Sequence, residues 1–172
     1  MVADHRGEDR TPAGGADLEA ARALLDVSRL LMGVTLRAVA AAPVPLTVPQ
    51  HRVLLTIAAE GPPRVGALAD DLGVNQSNAS RIVDRLAGQG LVRRTRDGTD
   101  GRASLAALTP KGRRVLDAVH EHRLAALVDV VARVPGGAGG LADALSQLRE
   151  AAGARHAYVP RPADEEGGPC ER

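Results

Sequence analysis

The chain has 172 residues, a net charge of +1 from 22 basic and 21 acidic groups, and 44% apolar residues, enough for one packed domain with appendages. No apolar run approaches the ~18 residues that mark a membrane span. The opening MVADHRGEDRTPAGGAD is neither a secretory signal nor a basic transit peptide, and the single cysteine, Cys170, excludes an internal disulfide and a cysteine-rich zinc site.

The expectation is a soluble cytoplasmic protein. With no Phe, no Trp and one Tyr, its core must be built from Leu, Val, Ile and Ala. A chain so poor in aromatic area is expected to cover its apolar stripes with a second chain.

Residues 1–16 are dominated by Gly, Pro and charge and are expected to be disordered. From Asp17 to Ala41, Leu18, Ala21, Leu25, Met32, Leu36 and Val39 recur at helical spacing. Leu24, Val27, Leu31 and Val34 form a second stripe beside them, so this helix should pack on more than one neighbour. The segment APVP breaks it. Thr47 followed by Gln50 is a capping-box pattern with Pro49 in the first turn, predicting a helix to about Glu60 that Gly61, Pro62 and Pro63 stop. A short helix over Val65–Leu72 ends at Gly73, and Asn75 caps another over Gln76–Gly88, closed by Gly90.

The periodicity then changes. Leu91–Arg96 and Arg102–Leu108 read as strands around a turn at 97–101. Thr109 and Pro110 open a long helix to about Val134. The linker PGGAGG separates it from a last helix over Leu141–Ala152, and the tail from Gly153 is expected to be disordered. The fold class is mainly α with a small β wing: a winged helix-turn-helix flanked by long helices.

On the helix from Gln76 to Gly88, at about 100° per residue, Ala79, Ile82, Val83 and Leu86 fall on one side. Ser77, Asn78, Arg81 and Arg85 fall nearly opposite. That polar face has no carboxylate, and its amide, hydroxyl and guanidinium groups suit base edges and phosphates. Base-reading residues of a helix-turn-helix lie near the amino end of its second helix, which makes Gln76, Ser77, Asn78, Ser80 and Arg81 candidates, with Arg85 beside them.

An ordinary solvated face would also be polar, but charge separates the two readings. Residues 75–114 carry nine basic groups, among them Arg93, Arg94, Arg96, Arg102 and Lys111, against three acids; residues 1–28 carry three Arg against six acids. A basic stripe confined to one helix and the adjacent hairpin is the footprint of a phosphate backbone.

The ordered set LTVPQHRVLLTI, VGALADDLGV, NQSNASRIVDRLAGQGLVRR and DGTDGRASLAALTPKGRRVL resembles the MarR family of winged-helix transcription regulators over roughly residues 17–152. The resemblance implies a homodimer joined by the long helices at 17–44 and 110–152. The winged helix-turn-helix at 45–109 would bind successive major grooves of a near-palindromic double-stranded operator, with tails at 1–16 and 153–172 outside both. Asp100 and Arg102 stand where the family's pattern places an Asp that braces the wing tip and an Arg that enters the minor groove. Gly101 stands where many members carry another Arg. The resemblance further implies a repressor released by a small-molecule effector held between the dimer helices and the winged helix, for which Arg22, His51 and Arg52 are the candidate groups.

Other chemistry is thin. His120 and His122, two apart on a helix, point about 200° from each other and cannot share a metal ion unaided; His51 with one of them stays open as a pairing, but no metal site and no cofactor is expected. Cys170 in the tail reads as a passive thiol. PGGAGG follows a helix rather than a strand and no Gly-Lys-Ser/Thr follows it, which excludes a phosphate loop. No catalytic constellation stands out, so the chain is read as a non-enzyme. The alternative is a winged helix used for protein interaction or dimerisation without DNA. Docking faces favour buried aromatic anchors, and this face offers none.

Overall fold

A computed structural model describes residues 14–96, 104–135 and 138–153. Six helices and a two-stranded wing follow one another as α1 (Gly15–Ala40), α2 (Val48–Glu60), α3 (Val65–Leu72), α4 (Gln76–Gly88), β1 (Val92–Arg96), β2 (Ser104–Leu108), α5 (Pro110–Val131) and α6 (Ala138–Ala151).

Local chemistry sets most of the boundaries. Helix α2 opens with a complete capping box: the Gln50 N–H donates to Thr47 Oγ1 at 3.4 Å, and the Thr47 N–H donates to Gln50 Oε1 at 2.8 Å. Helix α3 ends at Gly73, whose φ of +65° is the left-handed conformation a helix terminus favours in glycine. Asn75 Oδ1 accepts from the Asn78 N–H at 2.9 Å and so opens α4.

At the other end of α4, Gly90 (φ +70°) turns the chain so that the Leu91 N–H reaches the Leu86 carbonyl at 2.9 Å. The strands pair antiparallel, Val92 opposite Leu108 and Arg96 opposite Ser104. A single bridge from Arg64 to Leu105 joins the approach to α3 onto β2, which so lies between that segment and β1.

Three boundaries depart from the sequence expectation. Helix α1 starts at Gly15 rather than Asp17, because Asp17 sits in the first turn and its carboxylate accepts the Gly14 N–H at 3.1 Å. Helix α5 stops at Val131 rather than Val134. Helix α6 begins at Ala138 rather than Leu141, taking Gly139 and Gly140 into its first turn, where N–H groups lack intrahelical partners in any case. The expected wing tip at 97–101, the middle of the PGGAGG linker, residues 1–13 and the tail beyond Gly153 lie outside the described residues.

The core is aliphatic, as the composition requires. Val53 and Leu54 of α2, Leu68 of α3, Ala79, Val83 and Leu86 of α4, Leu91, and Leu116 of α5 are all sealed from solvent and form one cluster. A smaller cluster of Ala38, Val39 and Val119 fastens the end of α1 to α5. The wing root is clasped to the start of α5. Thr109 Oγ1 accepts from the Gly112 N–H at 3.0 Å, and Lys111 Nζ donates to the Gln89 carbonyl at 2.8 Å. A Cβ on Gly112 would collide with the Leu91 carbonyl, so only glycine permits this approach.

The opposite end is bare. Leu18, Leu24, Leu25, Leu31, Met32 and Leu36 of α1 are exposed, as are Leu124 and Val128 of α5 and Leu145 and Leu148 of α6. Helix α6 buries none of its residues.

Candidate nucleic-acid interface

Helix α4 is held by its apolar side and turns polar groups outward on the other. Ala79, Val83 and Leu86 are buried, whereas Gln76, Ser77, Asn78, Arg81 and Arg85 are exposed. The exposed groups share one face because the spacing 77, 78, 81, 85 follows the helical turn. At the amino end, Ser77 Oγ donates to Asn75 Oδ1 at 2.8 Å, so the cap fixes this hydroxyl as well as the backbone.

An open groove of about 660 Å³ runs along this end of the molecule, between the first turn of α3, Gln76, Ser77 and Ser80 of α4, and Arg94 and Ser104 of the wing. The two helix amino termini and the wing strands therefore meet on one surface. The N–H groups of a helix's first turn are natural partners for anions.

Ser80 differs from its neighbours. It is half-buried, and Arg94 of β1 reaches across to it: Nη2 donates to Ser80 Oγ at 2.9 Å and to the Ser80 carbonyl at 3.3 Å. The same nitrogen lies 2.8 Å from Asp84 Oδ1. The basic count along the sequence could not separate Arg94 from Arg93. Strand alternation could, since Arg94 shares a face with Val92, which is buried. Arg96 closes β1 opposite Ser104, with its side chain outside the described residues; Asp100 and Arg102 lie wholly outside them.

The three candidate effector-binding groups do not converge. Arg22 is exposed on the bare part of α1. Arg52 faces the end of α3, where its Nη2 donates to the Asp71 carbonyl at 2.7 Å and its Nε lies 3.6 Å from Asp71 Oδ2. His51 is 3% exposed. Burial, and then the nearby Arg123 guanidinium, push its pKa down to about 4, so the ring is neutral at pH 7 and offers no positive charge to an anion. Arg123 carries the cation at this position instead, and its buried Nε makes no hydrogen bond among the described residues. Nothing in the spacing of α5 singled out Arg123.

A second cavity, about 510 Å³, lies under the α1–α2 linker between Val39, Val44, Leu46, Gln50 and Gln89. Neither cavity is lined by Arg22, His51 or Arg52. Among the described residues no three His, Cys, Asp or Glu side chains gather in a metal-binding cluster. No described helix is long and apolar enough to cross a membrane.

A family model described as "MarR family" matches residues 44–103. The solved structure of RV1404 from Mycobacterium tuberculosis superposes with a TM-score of 0.72 at 37% identity, covering 83% of this chain and 97% of that one. The structure of CouR from Rhodococcus jostii, bound to p-coumaroyl-CoA, superposes with a TM-score of 0.58 at 28% identity, covering 75% of this chain and 85% of that one. The curated relative YfiV of Bacillus subtilis, an uncharacterised HTH-type transcriptional regulator, is 28% identical over 76 residues, 44% of this chain. That match spans about half of the relative's length, 48%.

Proposed function

Because the chain belongs to the MarR family of DNA-binding transcriptional regulators, we propose that it acts as a homodimeric repressor that grips a near-palindromic operator and lets go when a small molecule binds. The observation that carries this reading is the face of α4. Gln76, Ser77, Asn78, Arg81 and Arg85 stand exposed with donors and acceptors for base edges, and the one carboxylate of that helix, Asp84, is paired with Arg94 rather than absent from the face as the spacing predicts. In this reading Arg81, Gln76, Ser77 and Asn78 contact bases in the major groove. Ser80 and Arg85 contact the backbone, and Arg96, Asp100 and Arg102 place the wing against the flanking minor groove, whose narrow stretches attract arginine.

Residues 45–109 form the DNA-binding unit, and 17–44 with 110–152 the dimerising unit. The bare apolar residues of α1 and α6 support that division, since they need a cover. The effector reading draws on CouR, whose structure holds an acyl-CoA. By that likeness alone the preferred effector is an anion with an apolar body, since neither described cavity is lined by Arg22, His51 or Arg52. Linkage then requires DNA and effector to weaken each other by the same factor.

The test is selection of bound sequences from a random duplex pool at two salt concentrations. A two-fold symmetric motif whose affinity falls steeply with salt is the expected result. Enrichment of no motif by the full chain sinks the reading.

A further inference from the structure

Among the described residues, Arg94 of β1 reaches across to the polar side of α4. Its Nη2 donates to the Ser80 carbonyl and Ser80 Oγ at 3.3 and 2.9 Å and forms an ion pair with Asp84, 2.8 Å from Oδ1. Ser80 and Asp84 stand one turn apart on α4, so one guanidinium spans a full turn of that helix. The side chains of Arg94 and Asp84 are 34% and 61% exposed, and ion pairs this exposed add little to folding stability. The contact is better suited to orienting two parts than to holding the fold together.

It also changes what α4 shows to a ligand. Asp84 is the acid of α4, next in sequence to Arg85 and three residues after Arg81. Left alone, it would repel phosphates approaching that helix. Ser80 Oγ accepts from Arg94 and, among the described residues, its own proton has no acceptor, which leaves this groove-lining hydroxyl as a donor.

On the reading of α4 as the DNA-contacting helix, we infer that Arg94 is a positioning residue for operator recognition. It sets the angle of the wing against α4, cancels Asp84, and fixes Ser80 as a donor, without contacting DNA. It acts through Ser80 and Asp84. Operator positions read by the wing depend on it, and positions read by the amino end of α4 do not.

The experiment is the duplex selection repeated with the full-length Arg94→Ala, Arg94→Lys and Asp84→Ala variants and the Arg94→Ala/Asp84→Ala double variant, with melting temperature and dimer mass as controls. Arg94→Ala should lower affinity for the wild-type site about tenfold. It should erase sequence preference at the flanks and leave the inner positions of each half-site intact. Arg94→Lys keeps the charge but lacks the planar fork, and should lose the same flanks in a protein that retains its net charge. The double variant should be no worse than Arg94→Ala, as residues acting as one unit require.

A motif of unchanged width, with affinity lowered equally for all sequences and the salt slope reduced by about one, would make Arg94 a plain phosphate contact and overturn the inference. So would additive effects in the double variant. If the wild-type protein itself selects no motif, the regulator reading fails first and this inference falls with it. A wild-type motif that Arg94→Ala preserves overturns the inference alone.

Discussion

At the scale of single residues, the informative positions are those where chemistry and packing conflict. His51 is a titratable ring held nearly dry beside a cation, and its pKa of about 4 lies below that of the unfolded chain. The unfolded chain therefore takes up a proton below pH ~6.5 that the folded chain refuses. Stability is fully present above that value and declines by about 3 kcal/mol as pH falls from 6.5 to 4. Urea melts across that range should show the decline, and His51→Leu should flatten it.

Two further substitutions separate reading from positioning. Replacing Arg81 with Ala should relax base preference at one position of each half-site, whereas replacing Arg85 with Ala should weaken all duplexes about equally, by about tenfold for either residue. Binding titrations on selected and scrambled duplexes distinguish the two patterns. The face of α4 was legible in the sequence because its residues repeat with the helix turn. The state of His51 was not, since it depends on packing around α2 and on Arg123, more than seventy residues away in the chain.

At the scale of elements, the helices announced their own starts. Thr47 with Gln50, Asn75 and Thr109 each cap where expected, because a capping side chain acts within three residues of itself. Asn75→Ala should cost about 1 kcal/mol. It should also free the Ser77 hydroxyl, visible as a lowered melting temperature together with weaker binding to the selected duplex.

The boundaries that moved were those with no polar residue at the cap to mark them. Asp17 looked like a start and is a first-turn acid; Gly139 and Gly140 looked like linker and lie inside α6. The clasp at Gly112 was visible only as a Thr-Pro-Lys-Gly string. Its reason, the Leu91 carbonyl pressed against the glycine, needs two segments brought together in space. Gly112→Ala should destabilise by about 2–3 kcal/mol, the cost of overpacking against backbone that cannot step aside, as a thermal melt would record.

At the scale of the whole molecule, the two ends differ in kind. One is a sealed aliphatic core behind a polar helix face; the other is a set of helices with apolar residues in the open. Composition pointed to this, since a chain without Phe or Trp has little large apolar area to close on itself. Which residues stayed bare required the fold. Placing Asp at Leu25 and Leu148 together should shift the chain toward monomers in sedimentation and abolish two-fold symmetric DNA binding, while residues 45–109 keep their helical signal.

The clasp between the wing root and α5 carries a mechanical consequence. Helix α5 has 22 residues, a rod of about 33 Å, fastened to the wing root at one end and reaching the bare apolar face at the other. It is a lever. A tilt of about 10° pivoting at the far end would sweep the wing root through about 6 Å on such an arm. Half-sites one turn of duplex apart tolerate no such mismatch on each side. In the proposed dimer, a small adjustment among the exposed leucines would thus be multiplied into whether two grooves can be reached at once.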